Sequence, residues 1–414
     1  MTPLTEKFYY RCVNCGREYH DEHIRYLCPE CRRHQNQEEA PKGVLEVHYP
    51  YSRIKEKHPD FQSLKASGFL DLYPIKSLNS FPPLRVGQTP FYEVDRLNGE
   101  NLSERLFLKD DSLNPTYSFK DRASTLVAAF AKERNIQTII TASTGNAGSS
   151  LAGICASSGQ KAIVLVPEKA PLAKLTQIVM YGAQIVPVKG TYDDAFDLSV
   201  QATEKFGWYN RNTAFNPMTI EGKKSVAFEL FDQMNETVPD RIFVPVGDGV
   251  IISGVYKGFE DLLKLGYITK MPTVVAVQAA GSDNLVRNIF AEKTEFRSSH
   301  TIADSISVDI PRNFFMARGF LQKYSGETLT VSDDAILAAS KQLSVNTGLF
   351  SEPAAATAFA GYLHYRSNGM MDSGSKNIVL LTGSGLKDLN AVQGVITLPR
   401  AIAPDLIELK KLIS

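Results

Sequence analysis

The chain has 414 residues, with 45 basic and 45 acidic side chains and therefore a formal net charge of zero. This length exceeds what one hydrophobic core organises, and it predicts at least two domains with an appendage. With no net charge, the chain has no overall electrostatic field that would attract nucleic acid or an anionic membrane. No apolar run is long enough to span a bilayer. Met1 to Tyr10 lacks the apolar core of a secretory signal, so we expect a cytoplasmic protein.

The N-terminal segment carries four of the five cysteines in two C-x2-C pairs, Cys12 with Cys15 and Cys28 with Cys31. Two such pairs bring four thiolates into one tetrahedron, which is the geometry of structural zinc sites. Disulfides are the alternative, but they are rare in cytosolic proteins. We therefore predict a structural zinc ribbon over residues 1–40. Three nearby histidines are candidate substitute ligands: His20, His23 and His34.

Residues 41–84 are predicted to form a linker, short helices and turns, and from residue 85 onward strand and helix patterns alternate. Predicted strands are 106–110, 138–141, 162–166, 184–188, 242–246, 274–278 and 377–381. Predicted helices are 119–134, 173–180, 192–206, 220–234 and 333–346. This alternation is typical of an α/β protein whose parallel sheets carry helices on both faces.

Lys120 is the candidate catalytic residue. It lies in the run Ser118-Phe119-Lys120-Asp121-Arg122, which enters a predicted helix. A lysine condenses with an aldehyde only as the free amine, and a helix N-terminus that faces a closed cleft disfavours the ammonium form. The segment therefore indicates Schiff-base chemistry. The alternative is a solvated helix lysine, since most lysines lie on protein surfaces.

Three loops with glycines each follow a predicted strand. Residues 142–148 open a helix of small residues, and a strand, turn and helix N-terminus in this order can hold a carboxylate or a phosphate. Residues 247–254 can hold a phosphate on consecutive backbone N–H groups. Residues 382–388 begin with Thr382, a neutral hydroxyl that could face a pyridine nitrogen. The alternative for a single such loop is an ordinary turn in which glycine permits close packing.

Together these segments resemble fold-type II pyridoxal phosphate enzymes, and most closely the threonine synthase family, across about residues 85–390. Further matches follow in the family's order: Gly87 to Pro90, Phe107 to Asp111, Asn216 to Lys224, Glu352 to Ala354 and Gly385 to Asp388. The resemblance implies two three-layer domains with parallel-rich sheets and the cofactor in the cleft between them. It assigns residues 85–114 and 216–414 to a large domain and 115–215 to a small one. It also implies a homodimer.

The same resemblance implies a role for each site residue. Lys120 would carry pyridoxal 5'-phosphate as a Schiff base and, once displaced by a small amino-acid substrate, would remove the α-proton. Asn146 would contact the ring oxygen, Thr382 the pyridine nitrogen, and Glu352 would approach the ring. The cofactor phosphate would bind at Gly247, Asp248, Gly249, Val250 and Ile251. The substrate carboxylate would bind at Ser143, Thr144, Gly145, Asn146 and Ala147.

Five departures from the family's pattern cluster around the substrate's phosphate and side chain. Thr219 stands where threonine synthases usually carry an arginine that binds the phosphate of O-phosphohomoserine. The other departures are Tyr117, Ala147, the pair Thr213-Ala214, and Ser384. One explanation is that another cation holds the phosphate from a different direction, with Lys223, Lys224 and Arg211 as candidates. The other explanation is a changed substrate, with Tyr117 narrowing the pocket.

These explanations lead to different functions. A phosphate held by another cation favours a threonine synthase, which converts O-phosphohomoserine and water into threonine and phosphate. A changed substrate favours β-elimination or β-replacement on serine, threonine or an activated serine. A third hypothesis is a non-catalytic binding protein on this fold, with the ribbon as its interaction surface. The intact lysine motif argues against that third hypothesis.

Overall fold

The computed structural model describes residues 7–20, 23–33 and 39–413. Within these ranges the strands are β1 (Tyr9–Cys12), β2 (Glu18–Tyr19), β3 (Leu45–His48), β4 (Phe91–Leu97), β5 (Glu100–Asp110), β6 (Thr138–Ala142), β7 (Lys161–Pro167), β8 (Gln184–Val188), β9 (Tyr209–Asn210), β10 (Arg241–Pro245), β11 (Thr273–Ala279), β12 (Glu327–Val331) and β13 (Lys376–Leu381). The helices are α1 (Pro29–Arg32), α2 (Tyr51–Lys57), α3 (Phe61–Ala66), α4 (Lys120–Lys132), α5 (Asn146–Ser158), α6 (Leu172–Met180), α7 (Tyr192–Phe206), α8 (Met218–Lys223), α9 (Ser225–Gln233), α10 (Val250–Lys264), α11 (Phe314–Lys323), α12 (Asp333–Thr347), α13 (Pro353–Ser367), α14 (Leu389–Val392) and α15 (Leu406–Ile413).

The largest sheet has six strands in the order β12-β11-β10-β13-β5-β4, and all its neighbouring pairs are parallel except β4 with β5. Its inner strands are short apolar runs buried on both faces, as parallel strands covered by helices require. Along β10, Ile242 and Val244 belong to a core cluster shared with α9 and α10. Phe243 between them belongs to a second cluster shared with α12 and α13. The six-stranded sheet therefore carries helices on both faces.

A second sheet has four parallel strands in the order β8-β7-β6-β9. Ile140 of β6 and Leu165 of β7 pack against Ala195 of α7 on one face. On the other face, Val164 of β7 packs with Ala152 of α5 and with Ile178 of α6. This sheet is thus also covered by helices on both faces, and the α/β class with parallel-rich sheets that the sequence predicts is confirmed.

The N-terminal residues form a small antiparallel sheet in the order β2-β1-β3. The third strand, β3, lies in the segment where we predicted only a linker, short helices and turns. It forms because Leu45 and Val47 are buried in the core and their strand pairs with β1 along its length. The N-terminal unit therefore extends past residue 40 and is continuous with the main hydrophobic core.

Two further differences from the sequence prediction have local causes. The predicted helix 220–234 is two helices, α8 and α9, that meet at Lys224. Helix α8 crosses the start of α4 so closely that a Cβ atom on Gly222 would lie 2.2 Å from the carbonyl oxygen of Arg122. Strand β4 was not predicted because it is a largely exposed edge strand without an apolar alternation. Among the described residues, no helix is both long and apolar enough to cross a membrane.

A buried cluster of charges joins the N-terminal unit to the helices beneath the site. The ammonium of Lys224 lies 2.6 Å from the Glu221 carboxylate and 2.7 Å from that of Asp261. Asp261 also pairs with Lys257 and accepts a hydrogen bond from the Tyr51 hydroxyl at 2.6 Å. Burial alone would raise the pKa of Asp261, but the two ammonium groups lower it. Each charge in this cluster therefore has an opposite charge in contact.

We expect Asp261→Asn to lower the free energy of unfolding by about 3–5 kcal/mol, because it leaves two buried ammonium groups without their shared carboxylate. Urea denaturation at neutral pH measures the change. The control is Asp232→Asn, which removes the partner of Lys65 in a half-exposed pair and should cost less than about 1 kcal/mol. Equal losses in the two variants would contradict the role given to the buried cluster.

Candidate active site

The loops that carry the predicted site residues follow the carboxyl ends of strands in both sheets. Strand β6 ends before the turn 143–147, β10 ends before the loop 247–251, and β13 ends before Thr382. Direct contacts join these loops. Asn146 of the turn donates to the Glu352 carboxylate at 2.9 Å, and the Phe119 N–H donates to the Thr382 carbonyl at 2.8 Å. The carboxyl ends of the strands thus converge on one cleft, which is where α/β proteins bind ligands.

Lys120 is the first residue of α4 and is partly exposed within this cleft. Two links fix the chain just before it to the end of β13, namely the Phe119 hydrogen bond and a bridge between Ser118 and Gly383. Burial lowers the pKa of the Lys120 amine, and the nearby Arg211 guanidinium lowers it further. The Asp248 and Glu352 carboxylates oppose this shift without reversing it. The site therefore favours the free amine that the sequence predicts.

The loop before Lys120 is held in a strained conformation. Tyr117 has a φ of +66°, in the left-handed region that favours glycine, and its side chain is 51% exposed. Asp121 closes the loop by accepting from the backbone N–H of Thr116 at 2.7 Å and from the hydroxyl of the same residue at 2.5 Å. A tyrosine at this position costs conformational energy. It also places a large ring where the related pattern has glycine.

The turn 143–147 opens helix α5 and has the features of an anion site. Its backbone is tight, because a Cβ atom on Gly148 would lie 2.4 Å from the carbonyl oxygen of Ser143. The Ser143 hydroxyl accepts from the N–H of Gly145 at 3.2 Å, which fixes the turn. Ser143, Thr144, Gly145 and Ala147 are partly exposed to the cleft. The positive end of a 13-residue helix here suits a carboxylate.

The loop 247–251 opens helix α10 and is tightly enclosed. Gly249 has a φ of +83°, and a Cβ atom there would lie 2.8 Å from the side chains of Ala317 and Leu285. A Cβ atom on Gly247 would lie 2.8 Å from the Cα of Ile306. The Asp248 carbonyl accepts from the N–H of Asn313 at 3.0 Å, which anchors the loop from outside. A rigid glycine loop at a helix N-terminus fits the phosphate of pyridoxal phosphate.

Thr382 and Glu352 lie near Lys120, at the end of β13 and at the start of α13. The Thr382 side chain is buried at the end of β13, and its hydroxyl can face a ring nitrogen without protonating it. Burial raises the pKa of Glu352, while the hydrogen bond from Asn146 lowers it in part. Asn146, Thr382 and Glu352 therefore lie near Lys120 and offer polar partners that suit a pyridine ring with polar substituents.

The three cations proposed as substitutes for the missing arginine lie in different surroundings. Lys224 belongs to the paired cluster below the site and faces Glu221 and Asp261. Lys223 and Arg211 instead lie close enough to Lys120 to alter each other's charge states. The sequence could not separate these three residues. Lys223 and Lys224 are adjacent but face different sides, Arg211 follows β9, and the position of each relative to the site is a tertiary property.

Lys387 is a site residue that the sequence named within a motif but gave no role. Its ammonium donates to the Thr116 carbonyl at 3.0 Å, to the Ser149 hydroxyl at 2.9 Å and to the Gln177 side-chain oxygen at 2.6 Å. Burial lowers the pKa of Lys387 to about 8. The residue therefore ties the loop after β13 to helices α5 and α6, which cover the other sheet.

The four N-terminal cysteines form a separate cluster away from the cleft. Their sulfur atoms all lie within 4.8 Å of one another. The Sγ distances for Cys12 to Cys31 and for Cys15 to Cys28 are both 3.7 Å, too long for a disulfide. A zinc tetrahedron with bonds of about 2.3 Å has edges of about 3.8 Å, which matches. His20 contacts Glu18, and His34 lies outside the described residues.

Residues 83–383 match the family described as pyridoxal-phosphate dependent enzyme. The chain belongs to this family. A threonine synthase of Methanocaldococcus jannaschii is 35% identical over 97% of this chain and 98% of that protein. A threonine synthase of Methanosarcina acetivorans is 32% identical over 95% of this chain and 96% of that protein. The resemblance to the threonine synthase family that we drew from the motifs is thus confirmed, and pyridoxal phosphate as the cofactor with it.

Solved structures agree on the fold. The processed form of threonine deaminase isoform 2 from Solanum lycopersicum has a TM-score of 0.64 at 21% identity, covering 74% of this chain and 84% of that chain. A threonine deaminase from T.th. has a TM-score of 0.62 at 26% identity, covering 72% of this chain and 92% of that chain. Family membership makes the protein an enzyme, which removes the hypothesis of a non-catalytic binding protein.

We expect Gly249→Ala to weaken the affinity for pyridoxal phosphate by about tenfold or more, because the new methyl group is strained at positive φ and displaces the loop from Ala317. Absorbance titration of the cofactor into apoenzyme measures the effect. The control is Gly266→Ala at the other end of the same helix, where φ is +68° and the space around a Cβ atom is open. If both variants bind the cofactor like wild type, the loop does not hold its phosphate.

Proposed function

We propose that the protein is a threonine synthase that converts O-phosphohomoserine and water into threonine and phosphate. The main support for this proposal is that three features meet at Lys120. They are a turn suited to a carboxylate (143–147), a loop suited to a phosphate (247–251) and the neutral hydroxyl of Thr382. The near full-length similarity to two threonine synthases supports the specific reaction. A small amino acid with a leaving group is the substrate class that such a cleft accepts.

Each residue role follows from its chemistry. When bound, pyridoxal phosphate supplies an electron sink beside the amino group of the substrate. Lys120 accepts the α-proton, because its lowered pKa favours the free amine. The turn Ser143 to Ala147 binds the substrate carboxylate and orients the α C–H bond toward that amine. Thr382 offers the ring nitrogen a neutral partner, which favours elimination and replacement over transamination.

The cleft also controls water. Lys387 bonds across to α5 and α6, and we propose that this contact closes one side of the site. A closed cleft strengthens the electrostatic interactions inside it and limits water to the molecule that the reaction consumes. A β-elimination or β-replacement on serine or threonine is the alternative activity. The 26% identity to a threonine deaminase and the bulky Tyr117 favour that alternative, which would release a keto acid and ammonia if it is an elimination.

We further propose that Cys12, Cys15, Cys28 and Cys31 bind a structural zinc ion. Four thiolates complete a tetrahedron and leave no position for a substrate, so the ion would stabilise the ribbon and take no part in catalysis. The homodimer and the cytoplasmic location that we expected from the sequence stay predictions. Light scattering of the purified protein and fractionation of cells measure them.

We expect Lys120→Ala to abolish turnover and the absorbance of the lysine-bound cofactor, because no other amine takes its place at the start of α4. The assay follows threonine and phosphate released from O-phosphohomoserine, together with the visible spectrum. Lys132→Ala, at the far end of the same helix, is the control and should keep full activity. A fully active Lys120→Ala protein would exclude the mechanism, and keto acid with ammonia from wild type would favour the alternative.

We expect purified protein to contain one zinc ion per chain and a strong chelator to lower its melting temperature, because the ion contributes folding energy to the ribbon. Metal analysis and calorimetry measure both. Cys28→Ser should lose the metal, whereas Cys155→Ala, at the buried cysteine outside the cluster, should retain it. Thiol titration that finds one free cysteine per chain and no metal would show that the pairs are disulfides.

A further inference from the structure

Arg211 lies in the cleft and carries a positive charge without a matching carboxylate. It directly follows β9, and its backbone N–H donates to the carbonyl of Ile140 on β6 at 2.8 Å. Its side chain is fully buried. Nε donates to the Ser124 hydroxyl at 3.2 Å and Nη1 to the Thr213 hydroxyl at 3.1 Å. Ser124 is one turn after Lys120 on α4, so the guanidinium lies beside the candidate catalytic amine.

One nitrogen of this guanidinium is unsatisfied. Arg211 Nη2 is buried and has no hydrogen-bond partner within the described part of the chain. Burial lowers the pKa of Arg211 to about 10, although the groups around it that would favour its charge, Tyr192 and Asp121, partly oppose this. A buried cationic donor without a partner is costly, and native proteins rarely retain one without a ligand that completes it.

Lys223 adds a second basic side chain to the same place. It is fully buried near the end of α8, and its ammonium donates to the Thr219 carbonyl at 3.0 Å. Burial lowers the pKa of Lys223 strongly, and the charges of Arg211 and Lys120 add to the effect. The amine therefore reaches back one helical turn toward Thr219. Three basic side chains meet here: Lys120, Arg211 and Lys223.

The carboxylates near Lys120, Arg211 and Lys223 accept hydrogen bonds from other residues. Asp248 accepts from the backbone N–H of Arg312 at 3.0 Å, and Glu352 accepts from the amide of Asn146. Asp121 accepts from Thr116, and burial raises its pKa. No carboxylate among the described residues contacts Arg211 or Lys223 through a salt bridge. Arg211 and Lys223 are therefore available to bind an anion that comes from outside the protein.

The position of Arg211 next to the carboxylate turn indicates which anion this is. Strand β9 pairs with β6, and the Asn212 side chain accepts from the N–H of Ala142 at 2.8 Å, so Arg211 stands beside the residues that open the turn 143–147. The glycine loop 247–251, at the start of α10, is a separate site suited to a phosphate. We propose that Arg211 and Lys223 bind the phosphate monoester of the amino-acid substrate. This inference rests on the proposed function and names its specificity residues.

The segment around Arg211 is built to hold it in place. Asn216 donates to the Asn210 carbonyl at 2.7 Å and accepts from the N–H of Met218 at 2.9 Å. Asn212 donates to the Ser199 hydroxyl at 2.7 Å. Ala214 has a φ of +62°, which turns the chain sharply toward α8. These contacts fix the Arg211 backbone, so its guanidinium is pre-organised for a bidentate phosphate contact.

The test uses the holoenzyme with inorganic phosphate as the probe. We expect Arg211→Met and Lys223→Met each to weaken phosphate binding in calorimetric titration about 10- to 100-fold, with cofactor content unchanged. KM for O-phosphohomoserine should rise by a similar factor. Arg211→Lys keeps the positive charge but cannot make a bidentate contact, so its phosphate affinity should lie between those of wild type and Arg211→Met. Arg134→Met, at an arginine that stacks on Phe130 outside the cleft, is the control and should stay within about twofold.

The outcomes separate the two proposals. Unchanged phosphate binding in Arg211→Met would overturn the site. Loss of cofactor in step with loss of phosphate binding would also overturn it, because the pair would then hold the cofactor phosphate. Weakened phosphate binding together with a wild-type enzyme that does not convert O-phosphohomoserine would support the site and reject the proposed function.

A second observation concerns the N-terminal unit. The Tyr26 hydroxyl, between the two cysteine pairs, accepts from the backbone N–H of Asn210 at 3.0 Å, and the Tyr26 ring stacks on Phe215 with centroids 4.7 Å apart. These two contacts fall on either side of Arg211, Thr213 and Ala214. We infer that Tyr26 is a positioning residue through which the ribbon holds segment 210–215 in the cleft wall. The ribbon would thereby serve substrate binding without touching the substrate.

We expect Tyr26→Ala to raise KM for O-phosphohomoserine about tenfold while kcat, metal content and cofactor content change less than about twofold. A role in folding alone would lower the melting temperature and leave KM unchanged, and that result would overturn the inference. Tyr26→Phe keeps the stacking, removes the hydroxyl acceptor and should give a smaller rise in KM. Tyr9→Ala, whose ring stacks on His20 and His48 within the ribbon sheet, is the control.

Discussion

The site depends on how the chain just before Lys120 is tied to the end of β13. The Phe119 N–H donates to the Thr382 carbonyl, and Ser118 bridges to Gly383, so these contacts hold the chain at Lys120 next to Thr382. Helix α4 then starts at Lys120, which places the amine in the cleft. These links between remote parts of the sequence thus fix the position of Lys120 relative to Thr382.

Buried charge is handled in two opposite ways on the two sides of helix α8. On one side, Lys224 is neutralised by Glu221 and Asp261 and connects the N-terminal unit to the core. On the other side, Lys223 lies close to Arg211 and Lys120, and no carboxylate of the described residues forms a salt bridge with Lys223 or Arg211. Paired charges of the first kind fix a structure, whereas unpaired charges of the second kind are stabilised when a ligand completes them. We propose that Lys224 serves the structure and that its neighbour Lys223 serves ligand binding.

The N-terminal ribbon is more than an appendage in this arrangement. Its third strand is continuous with the main core, Tyr49 bonds Glu221 beneath the site at 2.5 Å, and Tyr26 contacts the segment that carries Arg211. We propose that a zinc ion bound by the four cysteines stiffens this small unit, and that Tyr26 thereby holds the neighbouring segment in place. On this proposal the four cysteines support the segment that carries Arg211, although they lie far from Lys120 in the sequence.

Local patterns in the sequence were enough to establish the α/β class, the family, the cofactor and the candidate residues, because strand periodicity, the glycine loops and the Ser-Phe-Lys-Asp-Arg run each have a local physical meaning. They could not rank Arg211, Lys223 and Lys224, since the difference depends on how helix α8 and the segment after β9 pack around Lys120. They also missed β3 and the split between α8 and α9, which follow from pairing with β1 and from close contact at Gly222. Each of these features depends on partners distant in the chain, and such partners meet only when the chain has folded.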